Sequence, residues 1–182
     1  MIEDTLDIVT NDGEMETFIC RPERAGPYPA ILFLMDAPGI REELHDMARR
    51  LATVGYYVLL PNLYYRAGRD TKYGPDVLEK GSADHTAMRA IRTKMTIPPV
   101  MEDIAALLAF IDESDEVKPG PVGAHGYCMS GPYALAAAAR FPRPYPRRRL
   151  VLRHLAGQRR RRKPAPVVSQ DDRRNLHLLR RA

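Results

Sequence analysis

The chain has 182 residues, of which 45% are hydrophobic and 28% charged, and this length is enough for one domain with a buried core. Its apolar runs are far shorter than the roughly 18 residues that a membrane-spanning helix needs, so we expect no membrane span. The net charge of +5 hides two parts of opposite sign: residues 1–142 carry 14 Lys and Arg against 21 Asp and Glu, and residues 143–182 carry 14 against 2. A domain over residues 1–142 and a basic tail over residues 143–182 are therefore predicted.

The first residues and the cysteines indicate a reducing compartment. The acidic start, Met1–Asp4, lacks the basic and apolar regions of a signal peptide. Of the two cysteines, Cys20 lies in a predicted strand, where a small core residue is expected. Cys20 and Cys128 do not form a CxxC pair, and no cluster of ligand residues accompanies them, so neither a redox site nor a metal site is predicted. We expect a cytoplasmic protein.

The first third of the chain predicts the opening of a sheet. Two segments that alternate apolar and polar residues flank Asp12-Gly13, which is typical of a β-hairpin. Residues 30–35 are apolar throughout, as expected of a central strand that is covered on both faces. Apolar residues at helical spacing follow over residues 44–51, so strand, loop and helix make one α/β unit.

The middle of the chain predicts a second unit of the same kind. Residues 56–61 repeat the buried-strand pattern and predict a parallel strand joined by a helical crossover. Residues 62–94 are polar and irregular, which fits either loops that contact a substrate or a solvated connection. A helix with one apolar face is predicted from Pro98 to Ile111, and a short strand over residues 121–124.

The stretch after this strand reads Gly-Tyr-Cys-Met-Ser-Gly and carries the strongest functional signal. Small residues, Gly126 and Ser130, flank Cys128, and an alanine-rich helical pattern follows over residues 133–140. This is the layout of a nucleophile elbow with cysteine in place of the commoner serine. The tight turn leaves no room for a side chain at Gly126, and the helix start favours a thiolate. Cys128 is predicted to be a nucleophile; the alternative is a buried cysteine in an ordinary strand-to-helix turn.

The order of elements, strand-strand-strand-helix-strand-helix-strand-elbow-helix, matches the first two thirds of an α/β-hydrolase sheet. Three blocks, residues 35–40, 60–66 and 126–131, resemble the matching blocks of the dienelactone hydrolase (carboxymethylenebutenolidase) family in the same order and at similar separations. The resemblance covers about residues 5–142. It implies an α/β-hydrolase-type three-layer sandwich with a mostly parallel sheet, truncated after the nucleophile helix.

The resemblance also implies a chemistry. Family members open lactones or cleave small esters through a thioester on the cysteine of a Cys-His-Asp triad, without a cofactor. Cys128 would attack the carbonyl carbon of the small-molecule substrate, and the backbone N–H groups of Met129 and Ala37 would hold the oxyanion. Asp36 stands where the family commonly has a glutamate that pairs with the resting cysteine; alternatively, Asp36 caps the following loop. Arg66 is a candidate, by its region, for binding the substrate.

The triad histidine and aspartate are not identified. In this fold they follow the nucleophile, on loops after later strands. His154 and His177 come after Cys128, but neither follows a recognisable strand, so neither is assigned to the triad. His125 lies on the incoming strand, where packing or hydrogen bonding beside the turn is expected of it.

Residues 143–182 do not continue the hydrolase pattern. They contain four prolines, and arginine outnumbers lysine 13 to 1. One interpretation is a disordered basic arm, on a non-catalytic α/β domain, that binds nucleic acid or an acidic partner. The other is a reading-frame slip near Pro142, because one permitted set of codons for residues 143–149, read from the second base, gives Asp-Arg-Ile-Arg-Ala-Ala, which resembles the family's continuation. This second interpretation predicts a chain of enzymatic ancestry that, as written, lacks half its sheet and is inactive or poorly folded.

Overall fold

The computed structural model describes residues 1–69, 71, 73–141 and 150–152, and it shows one mixed sheet with helices packed on it. The strands are β1 (Ile2–Thr10), β2 (Gly13–Arg21), β3 (Ala30–Leu34), β4 (Tyr57–Pro61), β5 (Val122–Gly126) and β6 (Leu150–Leu152). They lie side by side in the order β1-β2-β4-β3-β5-β6.

Four helices connect or follow these strands. They are α1 (Glu42–Thr53), α2 (Ala83–Arg92), α3 (Ile97–Glu113) and α4 (Gly131–Arg140). Two short 3-10 turns span Tyr65–Ala67 and Cys128–Ser130. Helix α1 packs on β2 and β4, helix α4 packs on β5, and α3 packs against α4 and β1.

The hairpin at the start of the sheet confirms the prediction from Asp12-Gly13. Strands β1 and β2 pair antiparallel over their whole length, with Thr10 opposite Gly13 at the turn. Gly13 has a φ of 134°, which a residue with a side chain rarely adopts. Strand β2 then pairs antiparallel with β4 and joins the hairpin to the central part of the sheet.

The centre of the sheet is parallel, as the apolar runs predict. Strands β4, β3, β5 and β6 pair parallel with one another. Every side chain of β3 and β4 is buried, and successive side chains of a strand point to opposite faces of a sheet. Both faces of the sheet are therefore covered, which makes the domain a three-layer α/β sandwich.

The stretch over residues 62–94 differs from its prediction as an irregular segment, because it contains α2. The Ser82 hydroxyl accepts a hydrogen bond from the N–H of His85 at 3.0 Å and caps the helix. Met88 is buried and Ile91 is partly buried against the core, so these two apolar side chains and the cap stabilise the helix. In the sequence, Ser82 is the residue that indicates the start of this helix, because serine is a preferred N-cap residue.

The structure also places three residues of the predicted tail in the sheet. Leu150–Leu152 pair parallel with β5, with Leu150 opposite Val122, whereas no further strand was expected after α4. The other residues of the tail lie outside the described residues. The predictions of a disordered arm, of a frame slip and of a nucleic-acid partner concern those residues. Within the described part of the chain, no helix is long and apolar enough to cross a membrane.

The parallel strands position the site. Strands β3, β4 and β5 all end at the same edge of the sheet, since they run in the same direction. Residues that follow these three ends are Ala37 after β3, Tyr64 after β4 and Cys128 after β5. In open parallel sheets, ligands bind outside the carboxyl ends of the strands, so this edge is the place for a functional site.

Candidate active site

Cys128 stands at a strained turn. Its φ is 49°, and among the described residues it is the only one other than glycine with a positive φ. A left-handed conformation costs a residue with a side chain about 1–2 kcal/mol. The thiol is exposed to solvent. The turn passes directly from β5 through the 3-10 turn Cys128–Ser130 into α4, so the strain presents an exposed sulfur at the end of a parallel strand.

The residues on either side of Cys128 make this turn possible. A Cβ atom added to Gly126 would lie 2.6 Å from the main-chain oxygen of Ser130 and 2.9 Å from its Cβ. The prediction that Gly126 leaves no room for a side chain is therefore confirmed. The N–H of Ser130 donates to the carbonyl of Tyr127 at 2.8 Å and closes the turn.

Ser130 ties the turn to the neighbouring strand. Its side chain is fully buried, and its hydroxyl donates a hydrogen bond to the main-chain carbonyl of Met35, at the end of β3. Helix α4 begins at Gly131, and Pro132 in its first turn needs no hydrogen-bond acceptor for a backbone N–H. The ends of β3 and β5 are thus joined beside the exposed thiol.

Ala37 and Met129, whose N–H groups were predicted to hold an oxyanion, are brought together by a third residue. The Tyr64 hydroxyl donates to the Ala37 carbonyl at 2.7 Å and lies 3.5 Å from the sulfur of Met129. Among the residues that the structure describes, the N–H groups of Ala37 and Met129 donate no hydrogen bond within the chain. Two unused N–H donors therefore lie on segments joined by one tyrosine.

Asp36 is paired with an arginine and not with the cysteine. The Arg41 guanidinium donates to both carboxylate oxygens of Asp36, at 2.6 and 3.0 Å. The hydrogen bond to Asp36 raises the pKa of Arg41 above its ordinary value. No hydrogen bond joins Asp36 to Cys128 in the described part of the chain. The main-chain carbonyl of Asp36, rather than its side chain, accepts from the N–H of Gly39 at 3.1 Å in the following loop.

Arg66 belongs to a cluster around the buried carboxylate of Asp103. It donates two hydrogen bonds of 2.8 Å to Asp103 and one of 2.7 Å to Asp12. Tyr65 donates a further bond of 2.9 Å to Asp103, whose side chain is fully buried. Burial lowers the pKa of Arg66, but the hydrogen bonds that it donates to Asp103 and Asp12 outweigh this effect and raise its pKa. These contacts make Arg66 a structural residue that links the β1–β2 turn to α3, rather than a free cation for a substrate.

The sequence contains a signal for this cluster in helix α3. Asp103 lies on the apolar face of α3, one turn after Val100 and one turn before Leu107. A carboxylate on a buried helix face requires a cationic or hydrogen-bonding partner, because an unpaired buried charge is costly. Arg66 in the 60–66 block supplies it.

The described histidines do not supply a base to the cysteine. His125 packs between Phe33 and Tyr127 in edge-to-face contacts, with ring centroids 5.2 and 4.5 Å away, as expected of a residue beside the turn. Burial lowers the pKa of His125. In the described residues, no histidine is hydrogen-bonded to the Cys128 thiol. His154 and His177 lie outside them.

The two cysteines have opposite environments. Cys20 is fully buried in β2, and burial raises the pKa of its thiol from 9.0 to about 12. Cys128 is exposed at the turn. Cys20 is thus a core residue, as predicted. Over the ranges that the structure describes, no group of three or more His, Cys, Asp or Glu side chains could hold a metal ion.

A strained, exposed cysteine between β5 and α4, at the carboxyl edge of a mostly parallel sheet, is the layout of the α/β-hydrolase class. Residues 15–144 match the model of the dienelactone hydrolase family, and the chain belongs to that family.

Relatives of known sequence and structure agree with this assignment. A protein of Methylorubrum extorquens named "Putative carboxymethylenebutenolidase" is 29% identical over 142 residues, which are 78% of this chain and 46% of the relative. A protein of the same name from Synechocystis is 26% identical over 133 residues, 71% of this chain and 51% of the relative. The chain thus spans about half the length of the curated relatives it matches.

The fold is also that of a solved family structure. The crystal structure of a "Putative Dienelactone Hydrolase" from Klebsiella pneumoniae superposes with a TM-score of 0.62 at 24% identity. The superposition covers 78% of this chain and 55% of the other. At 24% sequence identity, this structural similarity shows that the two chains share a fold.

Proposed function

We propose that this chain carries the nucleophile half of a dienelactone-type hydrolase, which opens small lactones or cleaves small esters through a thioester on Cys128. The observation that supports this most directly is the exposed Cys128 at a positive φ, directly after β5. A side chain is kept in that unfavourable conformation where its position is needed for function. Membership of the family supports the substrate class.

In this scheme the Cys128 sulfur attacks the carbonyl carbon, and the carbonyl π electrons move to oxygen. The N–H groups of Met129 and Ala37 stabilise that oxyanion, as both donors are unused within the described chain. Collapse of the tetrahedral intermediate breaks the bond to the alcohol oxygen, which takes up a proton, and leaves an acyl thioester on Cys128. Water then hydrolyses the thioester. The scheme needs no cofactor.

Turnover requires a base for the thiol and for the attacking water. We assign neither His154 nor His177 to this role. Since no described histidine is bonded to Cys128, acylation of this chain is expected to be easier to observe than turnover. Pairing of Asp36 with the thiol would require its ion pair with Arg41 to open. A reduced thiol is needed to begin each reaction cycle, which fits a cytoplasmic setting for the two unpaired cysteines.

The experiment is single-turnover acylation by p-nitrophenyl acetate, with p-nitrophenolate release followed by absorbance and the modified residue identified by mass spectrometry. The full chain should gain one acetyl group, on Cys128, faster than a free thiol of the same concentration. Cys128→Ser should greatly slow the reaction, whereas Cys20→Ala should leave it unchanged. Equal acetylation of Cys128→Ser and the unmodified chain would remove Cys128 from the mechanism.

A further inference from the structure

We propose that Tyr64 is a positioning residue, which uses its hydroxyl to hold the two segments that carry the oxyanion donors at their working separation. This inference rests on the proposed function. It concerns a residue after β4, whereas the nucleophile and both donors lie after β5 and β3. Tyr64 thus connects the carboxyl end of β4 to the carboxyl ends of β3 and β5.

The tyrosine itself is firmly placed. It is 1% exposed, and its own N–H donates to the Asn62 side-chain oxygen at 3.0 Å. The N–H of Asn62 donates to the Glu16 carbonyl at 2.8 Å, and its side-chain amide donates to the Arg69 carbonyl at 3.3 Å. The main chain at Tyr64 is therefore anchored to β2 and to the following loop before its side chain reaches the site.

The hydroxyl of Tyr64 contacts both segments that carry the oxyanion donors. The hydroxyl donates to the Ala37 carbonyl at 2.7 Å, and it lies 3.5 Å from the Met129 sulfur. The ring also supports the loop after β3, because a Cβ at Gly39 would lie 3.6 Å from Tyr64 Cδ2. One side chain thus contacts both oxyanion segments.

These contacts bear on catalysis because an oxyanion hole depends on geometry. Donors stabilise the developing charge only if they lie within hydrogen-bond distance of the place that the oxyanion will occupy, and catalytic groups tolerate displacements of about 0.5 Å. The Ala37 carbonyl and N–H belong to one residue, so an anchor on the carbonyl restrains the direction of the N–H. Burial raises the pKa of the Tyr64 hydroxyl, which keeps it a protonated donor.

A comparison of two reactions of Cys128 separates this role from simple packing. Acylation by p-nitrophenyl acetate passes through a tetrahedral oxyanion. Alkylation by iodoacetamide displaces iodide at a saturated carbon and forms no oxyanion. Loss of oxyanion stabilisation therefore slows the first reaction and leaves the second unchanged, and neither measurement needs turnover.

The variant is Tyr64→Phe, which removes the hydroxyl and keeps the ring. We expect its acylation rate to fall on the order of tenfold, with alkylation unchanged. The matched control is Tyr65→Phe, whose lost hydroxyl bonds Asp103 and Thr10 instead. Its ratio of acylation to alkylation should equal that of the unmodified chain. If the ratio of Tyr64→Phe also equals it, or both rates fall together, the positioning role is wrong.

Two further outcomes are distinguished. If Tyr64→Phe shows no cooperative unfolding transition, Met129→Leu removes the sulfur contact at similar volume, and a selective fall of a few-fold in acylation is expected. An unchanged ratio in that variant would then overturn the inference. If the unmodified chain is not acetylated at Cys128, the proposed function fails, and the inference fails with it, because no oxyanion site exists for Tyr64 to hold.

Discussion

Gly126 lies so close to Ser130 that a single methyl group would not fit between them. A Cβ on Gly126 would stand 2.6 Å from the Ser130 carbonyl oxygen and 2.9 Å from the Ser130 carbonyl carbon. Both obstacles are main-chain atoms of the turn itself, so they cannot rotate away as a side chain would. The path of the chain past Cys128 therefore requires glycine at position 126.

We expect Gly126→Ala to lower the free energy of unfolding by about 3 kcal/mol, because the turn must open or β5 must shift to admit the methyl group. Urea denaturation followed by circular dichroism measures the loss. The control is Gly131→Ala, where a Cβ meets nothing within 4 Å and φ is −54°. That variant should be as stable as the unmodified chain or about 0.5–1 kcal/mol more stable. Equal effects of the two variants would contradict the turn geometry.

The positive φ of Cys128 predicts that a side chain at this position lowers the stability of the fold. Cys128→Gly should be about 1 kcal/mol more stable than Cys128→Ala, since glycine adopts a φ of 49° without the penalty that a Cβ carries. Denaturation midpoints of the two variants measure this difference. At the exposed helical residue Leu135 the order should be reversed, with alanine more stable than glycine by about 1 kcal/mol. Alanine as the better residue at position 128 would show that the turn is relaxed.

The features that could be predicted from the sequence are local ones. The hairpin at Asp12-Gly13 and the close approach at Gly126 depend on residues within a few positions of each other. The apolar run of β3 likewise shows its burial in its own composition. The resemblance of residues 35–40, 60–66 and 126–131 to blocks of the family then predicts that Cys128 lies at the nucleophile elbow.

The contacts that the sequence does not predict join residues that are distant in the chain. Tyr64 meets Ala37 across 27 residues and Met129 across 65, and no periodicity links them. The region of Arg66 predicts a substrate ligand, but its partner in the structure is Asp103, and that pairing depends on how α3 packs. Partner choice among charged residues is decided by tertiary packing, which a single sequence does not display.

The Arg66–Asp103 pair should therefore govern stability rather than substrate affinity. Arg66→Gln leaves the fully buried Asp103 carboxylate with only its hydrogen bond from Tyr65 and should cost about 3 kcal/mol, because a buried charge then lacks its counter-ion. Asp103→Asn leaves the partly exposed Arg66 paired with Asp12 and should cost less, about 1–2 kcal/mol. The double variant should cost clearly less than the sum of the two, as measured by urea denaturation in a double-mutant cycle.

The neighbouring residue on the same helix provides the control for that cycle. Glu102 pairs with Arg140 at 2.6 Å, but both side chains are about half exposed, so Glu102→Gln should cost well under about 1 kcal/mol. If Arg66→Gln keeps full stability but weakens binding of a carboxylate-bearing ester, the sequence-based role of Arg66 as a substrate ligand is the correct one.

The buried thiol of Cys20 predicts how stability and reactivity change with pH. Burial favours the neutral thiol and raises its pKa from 9.0 to about 12, so the unfolded chain loses this proton at lower pH than the folded chain. The stabilisation is complete below about pH 9 and is lost as the pH rises toward 12, with about 3 kcal/mol gone near pH 11. Denaturation of the full chain and of Cys20→Ala across this range isolates the effect, because the variant lacks it.

Alkylation tests the burial of Cys20 independently, by comparing its reactivity with that of the exposed Cys128. At about pH 8, iodoacetamide should modify Cys128 in the folded chain and spare Cys20, since only thiolate reacts and Cys20 is both protonated and fully buried. Mass spectrometry of tryptic peptides identifies the modified residue. Addition of urea beyond the unfolding midpoint should make the two cysteines react at similar rates. Modification of Cys20 at the rate of Cys128 without denaturant would show that β2 is not packed against the core.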